Sequence, residues 1–309
     1  MIKYILRRLL LLIPILLAVT FIVFSLLQMT PGDPAKLILG EHANAERIEA
    51  LRKEMGLDQP FIVQYVMFVK KLVLNFDIGN SYITRKPVAA EIMSAFPSTL
   101  KLAFSAILVA IGIGIPIGVI SAIKQYSIFD NIVMFFGLVG ISMPVFWLGL
   151  LLITFFSVQL KILPSSGFST LSHMILPAFT VGAQSVAIVA RMTRSSMLEV
   201  IRQDYIRTIR AKGQKESAII LFHALRNALL PIITVIGLQF GSLLSGAVMC
   251  ETIFSIPGVG RLMVEAVKSR DYPIVLGGVL FIAFGFSLVN LLIDILYGFV
   301  DPKIRSQFK

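Results

Sequence analysis

Few side chains in this 309-residue sequence are placed to do covalent chemistry. Three histidines, His42, His173 and His223, and the single cysteine, Cys250, are the natural candidates for metal binding or nucleophilic attack. They lie in separate segments and form no metal-ligand spacing. Cys250 has no partner for an intrachain disulfide and reads as a small buried hydrophobe. The patterns Gly-x-Ser-x-Gly, His-Glu-x-x-His and Gly-x-x-x-x-Gly-Lys-Ser/Thr are absent, so neither hydrolase chemistry nor binding of ATP phosphates is expected of this chain. What the sequence does concentrate is positive charge, in the segment from Arg191 to Asn227. There Asp204 can cap a helix over Tyr205 to Lys212, and Gly213 can take the left-handed conformation that ends it. A helix of about eight residues is marginal in water unless tertiary contacts hold it. Either lipid phosphates anchor its arginines or a partner grips it. A second helix over Lys215 to Leu225, leading to Pro231, completes an expected helical hairpin.

The elements that must carry this segment are membrane spans. Hydrophobic residues make up 57% of the chain and charged residues 15%, with a mean hydropathy of +0.87, too little polar surface for a soluble domain of this size. Apolar stretches of about 20 residues, enough to cross roughly 30 Å of hydrocarbon, run over Leu9 to Met29, Leu102 to Ile123, Asn131 to Leu160, Met174 to Ala190, Ala228 to Cys250 and Tyr272 to Ile293. The first follows Lys3, Arg7 and Arg8 and is expected to be retained, since its apolar run exceeds a signal-peptide core. With the N-terminus inside, 15 Lys and Arg fall on inside segments against four on the short outside ones, so both termini are expected in the cytoplasm. Nearly all of the formal net charge of +11 then reflects topology, and a nucleic-acid partner is not implied.

Outside the spans, residues 30–98 form an expected extracytoplasmic cap with helices over Glu46 to Met55 and Phe61 to Leu74, either a lid or a docking surface. The last external segment holds Ile256, Pro257, Gly258, Val259 and Gly260. After it Val259, Leu262, Met263, Ala266 and Val267 make one apolar helix face, which fits an external gate or a packed interfacial helix. Inside the spans ionisable residues are nearly missing, and Asp294 and Lys101 read as span-end residues, so an ion-coupled carrier is poorly supported and energy must come from another subunit. Gly237, Gly241 and Ser245, and Gly114 with Gly118, are close-packing steps. Gln239, Ser242 and Ser245, with Ser142, form a weakly polar set that either lines a path or bonds to neighbouring helices. Pro116 and Pro144 predict local bends.

The run Asp204, Tyr205, Ile206, Arg207, Thr208, Ile209, Arg210, Ala211, Lys212, Gly213, followed by His223-Ala224-Leu225-Arg226-Asn227-Ala228-Leu229-Leu230-Pro231, resembles the coupling loop of ABC importer permeases. With Pro31-Gly32-Asp33-Pro34, Ile256-Pro257-Gly258-Val259-Gly260, Arg270-Asp271-Tyr272-Pro273 and Asp301-Pro302, the chain is similar almost throughout to first-subunit permeases of the dipeptide, oligopeptide and nickel family. In place of the general Glu-Ala-Ala-x3-Gly it has Arg207-Thr208-Ile209 ahead of Gly213, the longer form typical of the peptide branch. The resemblance implies an all-α protein with six transmembrane helices and the type I ABC importer permease fold. Its expected parts are an N-terminal span (1–29), the cap (30–98), a five-helix permease core (99–300) with the coupling hairpin at 191–227, and a cytoplasmic tail (301–309).

The resemblance further implies a second homologous permease subunit, two ATP-binding subunits that hold ATP and Mg, an extracytoplasmic substrate-binding protein, and a bacterial or archaeal cell membrane. No cofactor is expected in this chain. Tyr205 to Lys212 would sit in a groove of an ATPase, with Ile206 and Ile209 as apolar anchors and Arg207 and Arg210 as charged contacts. Di- or oligopeptides are the implied cargo, with nickel or metal chelates and glutathione as alternatives. A stand-alone channel or carrier, or a scaffold without transport, are the readings from other classes.

Overall fold

The computed structural model describes residues 2–29, 33–40, 43–75 and 77–300. A long first helix, α1 (Ile2–Met29), leads into three shorter ones, α2 (Pro34–Leu39), α3 (Ala45–Glu54) and α4 (Phe61–Asn75). Next come α5 (Val88–Ile123), α6 (Ile128–Ser142) and α7 (Val145–Leu152), the last running on as a π-helical stretch over Ile153–Gln159. After α8 (Leu171–Ile201) and α9 (Asp204–Ala211), the three-residue α10 (Glu216–Ala218) passes through a second π-helical stretch, Ile219–Ala224, into α11 (Leu225–Gly246). The order closes with α12 (Val248–Ile253), α13 (Val259–Ser269) and α14 (Tyr272–Val300).

Among the described residues, five stretches are long and apolar enough to cross a bilayer: Ile5–Met29, Val88–Ile123, Leu171–Ile201, Glu216–Leu244 and Tyr272–Ile295. A sixth crossing exists if α6 and the α7 stretch count as one span, bent by 107°. Pro144 sets that break, because the residue before a proline is driven out of the helical region, and Met143 is extended at φ −78° and ψ 125°. The carbonyls freed at the break are not left bare: the Gln184 amide donates to the Ile141 and Met143 oxygens at 3.3 Å each. Pro116, by contrast, lies within an uninterrupted α5.

The least apolar of the spans, α8, is also the most enclosed, with 56% of its apolar window buried against 11% for α1. Its polar residues Thr180, Ser185, Thr193 and Ser196 face protein, so a lower hydropathy is what its position requires. Close approach to α5 depends on missing side chains: a Cβ at Gly118 would meet the Ala190 carbonyl at 2.5 Å, and one at Gly182 the Ala106 carbonyl at 2.9 Å. Among the described residues, three apolar clusters stack along the bundle. One joins Val119, Ala122, Met197, Ile206, Ile219 and Ala228; a central one is built on Leu102, Ala106, Val189 and Leu243; the third holds Val88, Ile92, Val259, Ala266 and Ile274.

Around this core α1 is peripheral. It is tied to α14 by an Arg8–Asp294 ion pair at 2.9 Å, consistent with Asp294 as a span-end residue. Phe21 and Phe24 pack against Phe61 and Tyr65 of α4, and the Tyr65 hydroxyl donates to the Leu17 carbonyl at 2.8 Å. Part of the expected cap therefore folds back along the first span.

Two expectations are corrected. The segment from Lys215 to Leu225 is not the second helix of a hairpin; it is the continuous leading end of α11, because no breaker separates it from the span and a π-helical stretch absorbs the extra residue. The boundary drawn between residues 98 and 99 falls inside α5, whose helix starts at Val88 behind Pro87.

Candidate functional site

At one end of the bundle α9 stands beside the first turns of α10–α11. Gly213 has φ +77°, the left-handed value anticipated for the helix stop, and its N–H donates to the Arg210 carbonyl at 3.0 Å. The N-cap is Gln203, which makes no side-chain capping bond, so Asp204 is corrected from cap to first helical residue. There it is exposed and pairs with Arg207 at 3.6 Å. The assignment of Ile206 as an outward plug is also corrected: it is fully buried in its own chain, against Val119, Met197, Ile219 and Ala224, with Ile209 half-buried beside it.

Magnitudes decide what holds α9. The Arg210–Glu216 pair, at 2.5 and 3.0 Å, and the Asn227 amide donating to the Tyr205 hydroxyl at 2.9 Å are exposed surface contacts that water and salt weaken, so neither can be the main support. Enclosing Ile206 is worth roughly 1.5–3 kcal/mol. The apolar contact is the mount, and it leaves Tyr205, Arg207, Thr208, Arg210, Ala211 and Lys212 outward on a short rigid projection.

Behind α9 lies an ion pair that motif reading passes over. Asp130, 1% exposed, takes two bonds from the Arg194 guanidinium at 2.6 and 2.7 Å, a third from the Tyr126 N–H at 2.9 Å and a fourth from the Ser121 hydroxyl. It locks the α5–α6 turn to α8. The local signal for it is Ser127, the N-cap of α6, which accepts from the Asp130 N–H at 3.2 Å and so sets Asp130 in the first turn.

At the opposite end Ile256, Gly258, Val259 and Gly260 are buried and Pro257 is exposed. They enter α13, which the apolar spacing anticipated, and it packs by Val259 and Ala266 with Arg261 and Glu265 paired outside at 2.7 Å. The motif glycines have a specific cause: a Cβ on Gly258 would fall 2.4 Å from the Glu251 carboxylate oxygens, and one on Gly260 2.7 Å from the Val248 Cα. Glu251, fully buried, accepts from the Thr99 hydroxyl at 2.6 Å, from the Arg261 N–H at 3.0 Å and from the Gly260 N–H. Burial pushes its carboxyl up, against those three donors that pull it down, and in either protonation state an oxygen faces the helix N–H groups.

The far end of α13 stops at Arg270, φ +55°, and the next residue, Asp271, is 3% exposed. It accepts from the Ser81 hydroxyl and, at 3.0 Å, from the Tyr82 N–H. Burial, then the nearby Asp271 carboxylate, pushes the Tyr82 phenol up to about 12. In the sequence Asp271 stands out only as part of a motif, and its partners lie some 190 residues away.

Within the polar set of the fifth span the described side chains are placed differently. Gln239 accepts from the Ser185 hydroxyl at 3.1 Å and so joins α11 to α8; Ser242 is exposed, and Ser142 is exposed at the Pro144 break. The side chain of Ser245 lies outside the described residues, as do Pro31, Gly32, His42, Asp301 and Pro302. Asp33 and Pro34 are described: Asp33 caps α2 through the Ala35 N–H at 3.0 Å and pairs with Arg52 at 3.2 Å. Cys250 is fully buried.

Comparison with known proteins fits this arrangement. Residues 114–306 match the family model of the binding-protein-dependent transport system inner membrane component, and residues 1–103 match the model of its N-terminal region. The dipeptide transport system permease protein DppB of Alkalihalophilus pseudofirmus is 44% identical over 333 residues, covering 99% of this chain and all of that protein; DppB of Escherichia coli K12 is 44% identical over 339 residues with the same coverage. The glutathione transport system permease protein GsiC of Escherichia coli O6:H1 is likewise 44% identical over 307 residues. Among solved structures, a chain of the MetNI methionine ABC transporter aligns with a TM-score of 0.54 at 18% identity, over 68% of this chain and 96% of that one. A chain of an amino acid ABC transporter aligns with a TM-score of 0.51, also at 18% identity, over 68% and 94%. Those two show the fold alone. On the family models and the full-length relatives together, this multi-pass membrane chain belongs to the binding-protein-dependent inner membrane components, the permease subunits of ABC importers.

Proposed function

We propose that this permease subunit forms, with a second homologous permease, the path by which di- or oligopeptides delivered by an extracytoplasmic binding protein enter a bacterial or archaeal cell. The observation that carries the reading is the 44% identity with dipeptide permeases across the whole length of both chains. Two separate ATP-binding subunits, holding ATP and Mg, drive the cycle, and both termini and α9 face the cytoplasm. α9 is the contact with one ATPase. Its outward Tyr205, Arg207, Thr208, Arg210 and Lys212 make the partner contacts, and its buried Ile206 passes the displacement to α5, α8 and α11. A short helix transmits force only if it cannot roll on its base, and an apolar residue enclosed by three elements prevents that. α13 lies at the outer mouth, and Ser142, Gln239, Ser242 and Ser245 remain the proposed path residues.

A deletion strain complemented with the full operon tests the reading: labelled dipeptide uptake should return with this chain and fail without it. Glutathione is the second reading, favoured by the equal identity to GsiC. Uptake of labelled glutathione that unlabelled dipeptide does not compete away would replace the peptide assignment. Peptide flux through the purified chain alone, in vesicles without any ATPase, would overturn the ABC mechanism in favour of a stand-alone carrier.

A further inference from the structure

The N-terminus of α13 is capped entirely by residues from other elements. Its N-cap, Gly258, has no side chain, yet the three N–H groups that open the helix are all engaged: Val259 donates to the Thr99 hydroxyl at 2.9 Å, and Gly260 and Arg261 donate to Glu251. Thr99 in turn donates to Glu251 at 2.6 Å, so the two side chains form one buried unit. Thr99 belongs to α5 and Glu251 to α12, which follows α11 after a single residue, with the Glu251 N–H bonded to the Ala247 carbonyl at 2.8 Å.

The same two supports hold α9 at the other end of the bundle. Ile206 rests on Val119 and Ala122 of α5, and on Ile219, Ala224 and Ala228 of the α10–α11 rod. Each support thus runs from the base of α9 to the cap of α13. We propose that Thr99 and Glu251 are positioning residues for transport: they fix α13 to the two supports that α9 rides on, so that the helix at the outer mouth follows the inner displacement and does not swing as a free flap. The inference rests on the permease reading above. It assigns to Thr99 and Glu251 a role in coupling hydrolysis to passage, beyond holding a loop in place.

Thr99→Val keeps the shape of the side chain and removes its hydroxyl; Thr99→Ser keeps the hydroxyl. In the assembled complex, reconstituted with its ATPases and binding protein and given labelled dialanine, Thr99→Val should lower the peptide carried per ATP hydrolysed by roughly tenfold, the scale of one lost buried hydrogen bond. ATP hydrolysis stimulated by the binding protein should stay near wild type, and Thr99→Ser should restore coupling. Hydrogen exchange at residues 259–261 of the same complex should speed up in Thr99→Val and not in Thr99→Ser. Glu251→Gln, which removes one acceptor oxygen without changing size, provides a second variant should Thr99→Val assemble poorly, with the same two effects expected. An unchanged ratio of transport to hydrolysis overturns the proposal, and so does a parallel loss of both, the mark of a merely structural contact. Unchanged exchange at 259–261 overturns the clamp by itself, whatever the cargo. A wild-type complex that hydrolyses ATP without moving dialanine sinks the peptide reading instead, and the exchange arm tells the two failures apart.

Discussion

In sequence Ile206 and Ile209 are equivalent apolar residues on a charged helix, and only the fold separates them: Ile206 is fully enclosed and Ile209 is half-buried. Ile206→Ala should therefore cost about 2–4 kcal/mol of local stability, and Arg207→Gln almost none. Hydrogen exchange over residues 204–211 measures the first, where Ile206→Ala should raise exchange and Arg207→Gln should not. Co-purification with the ATPase measures the second, where Arg207→Gln should weaken the complex. If Ile206→Ala leaves exchange unchanged, the mount of α9 lies elsewhere. A comparable argument applies to Asp130 and Arg194. Removing one member of a buried pair strands the other, so Arg194→Met should lower stability by about 3 kcal/mol, near the low end for such a loss because the Arg194 side chain keeps 21% exposure. Thermal unfolding in detergent reads it as a depressed midpoint, and Asp130→Leu in the Arg194→Met background should recover most of the loss by removing the stranded carboxylate. A double variant no more stable than the single one would mean that Asp130 is needed for its bonds to Ser121 and Tyr126.

Among the elements, α9 and its stop are legible in the sequence because the signals are local. Gly213 faces open space, with nothing within 4 Å of where a Cβ would stand, so the only penalty for replacing it is the backbone angle of +77°. Gly213→Val should cost about 1–2 kcal/mol and reduce uptake, whereas Gly213→Asn, which tolerates the left-handed region, should stay close to wild type. Equal loss of uptake in both variants would point to a contact with the ATPase at this position. α13 is legible for a similar reason, its apolar residues repeating at helical spacing. What stays hidden is whatever depends on distant partners. Glu251 reads as an acid at the end of a span, and nothing near it announces Thr99, 152 residues earlier. The leading end of α11 is misleading because Lys215 to Leu225 carries the polar punctuation of a surface helix, and hydropathy does not reveal that a π-helical stretch will join it to the span.

For the whole molecule, the number of crossings turns on α6 and α7. Hydropathy over Asn131 to Leu160 reads as one span, and the structure bends it by 107° at Met143–Pro144, a geometry that suits either a broken span or a re-entrant loop. Charge separates them. A broken span puts Lys124 on the same side as α9 and leaves Ser166 on the other, which keeps the basic segment 191–227 with the N-terminus; a re-entrant loop would put Lys124 and Ser166 together and send α9 to the opposite face. Lys124, Ser166 and Arg207 are all exposed, so single cysteines can be placed there in a Cys250→Ser background, with Cys250 itself fully buried. A membrane-impermeant maleimide on intact cells should label Ser166→Cys, and should reach Lys124→Cys and Arg207→Cys only after permeabilisation. Equal behaviour of Lys124→Cys and Ser166→Cys, both labelled or both protected on intact cells, would mean that α6 and α7 do not cross, against the parallel packing of α5 and α8 at Gly118–Ala190 and Ala106–Gly182. A five-span chain would also leave Arg8, at the start of α1, and Asp294, near the end of α14, on opposite faces of the membrane, where their ion pair at 2.9 Å could not form.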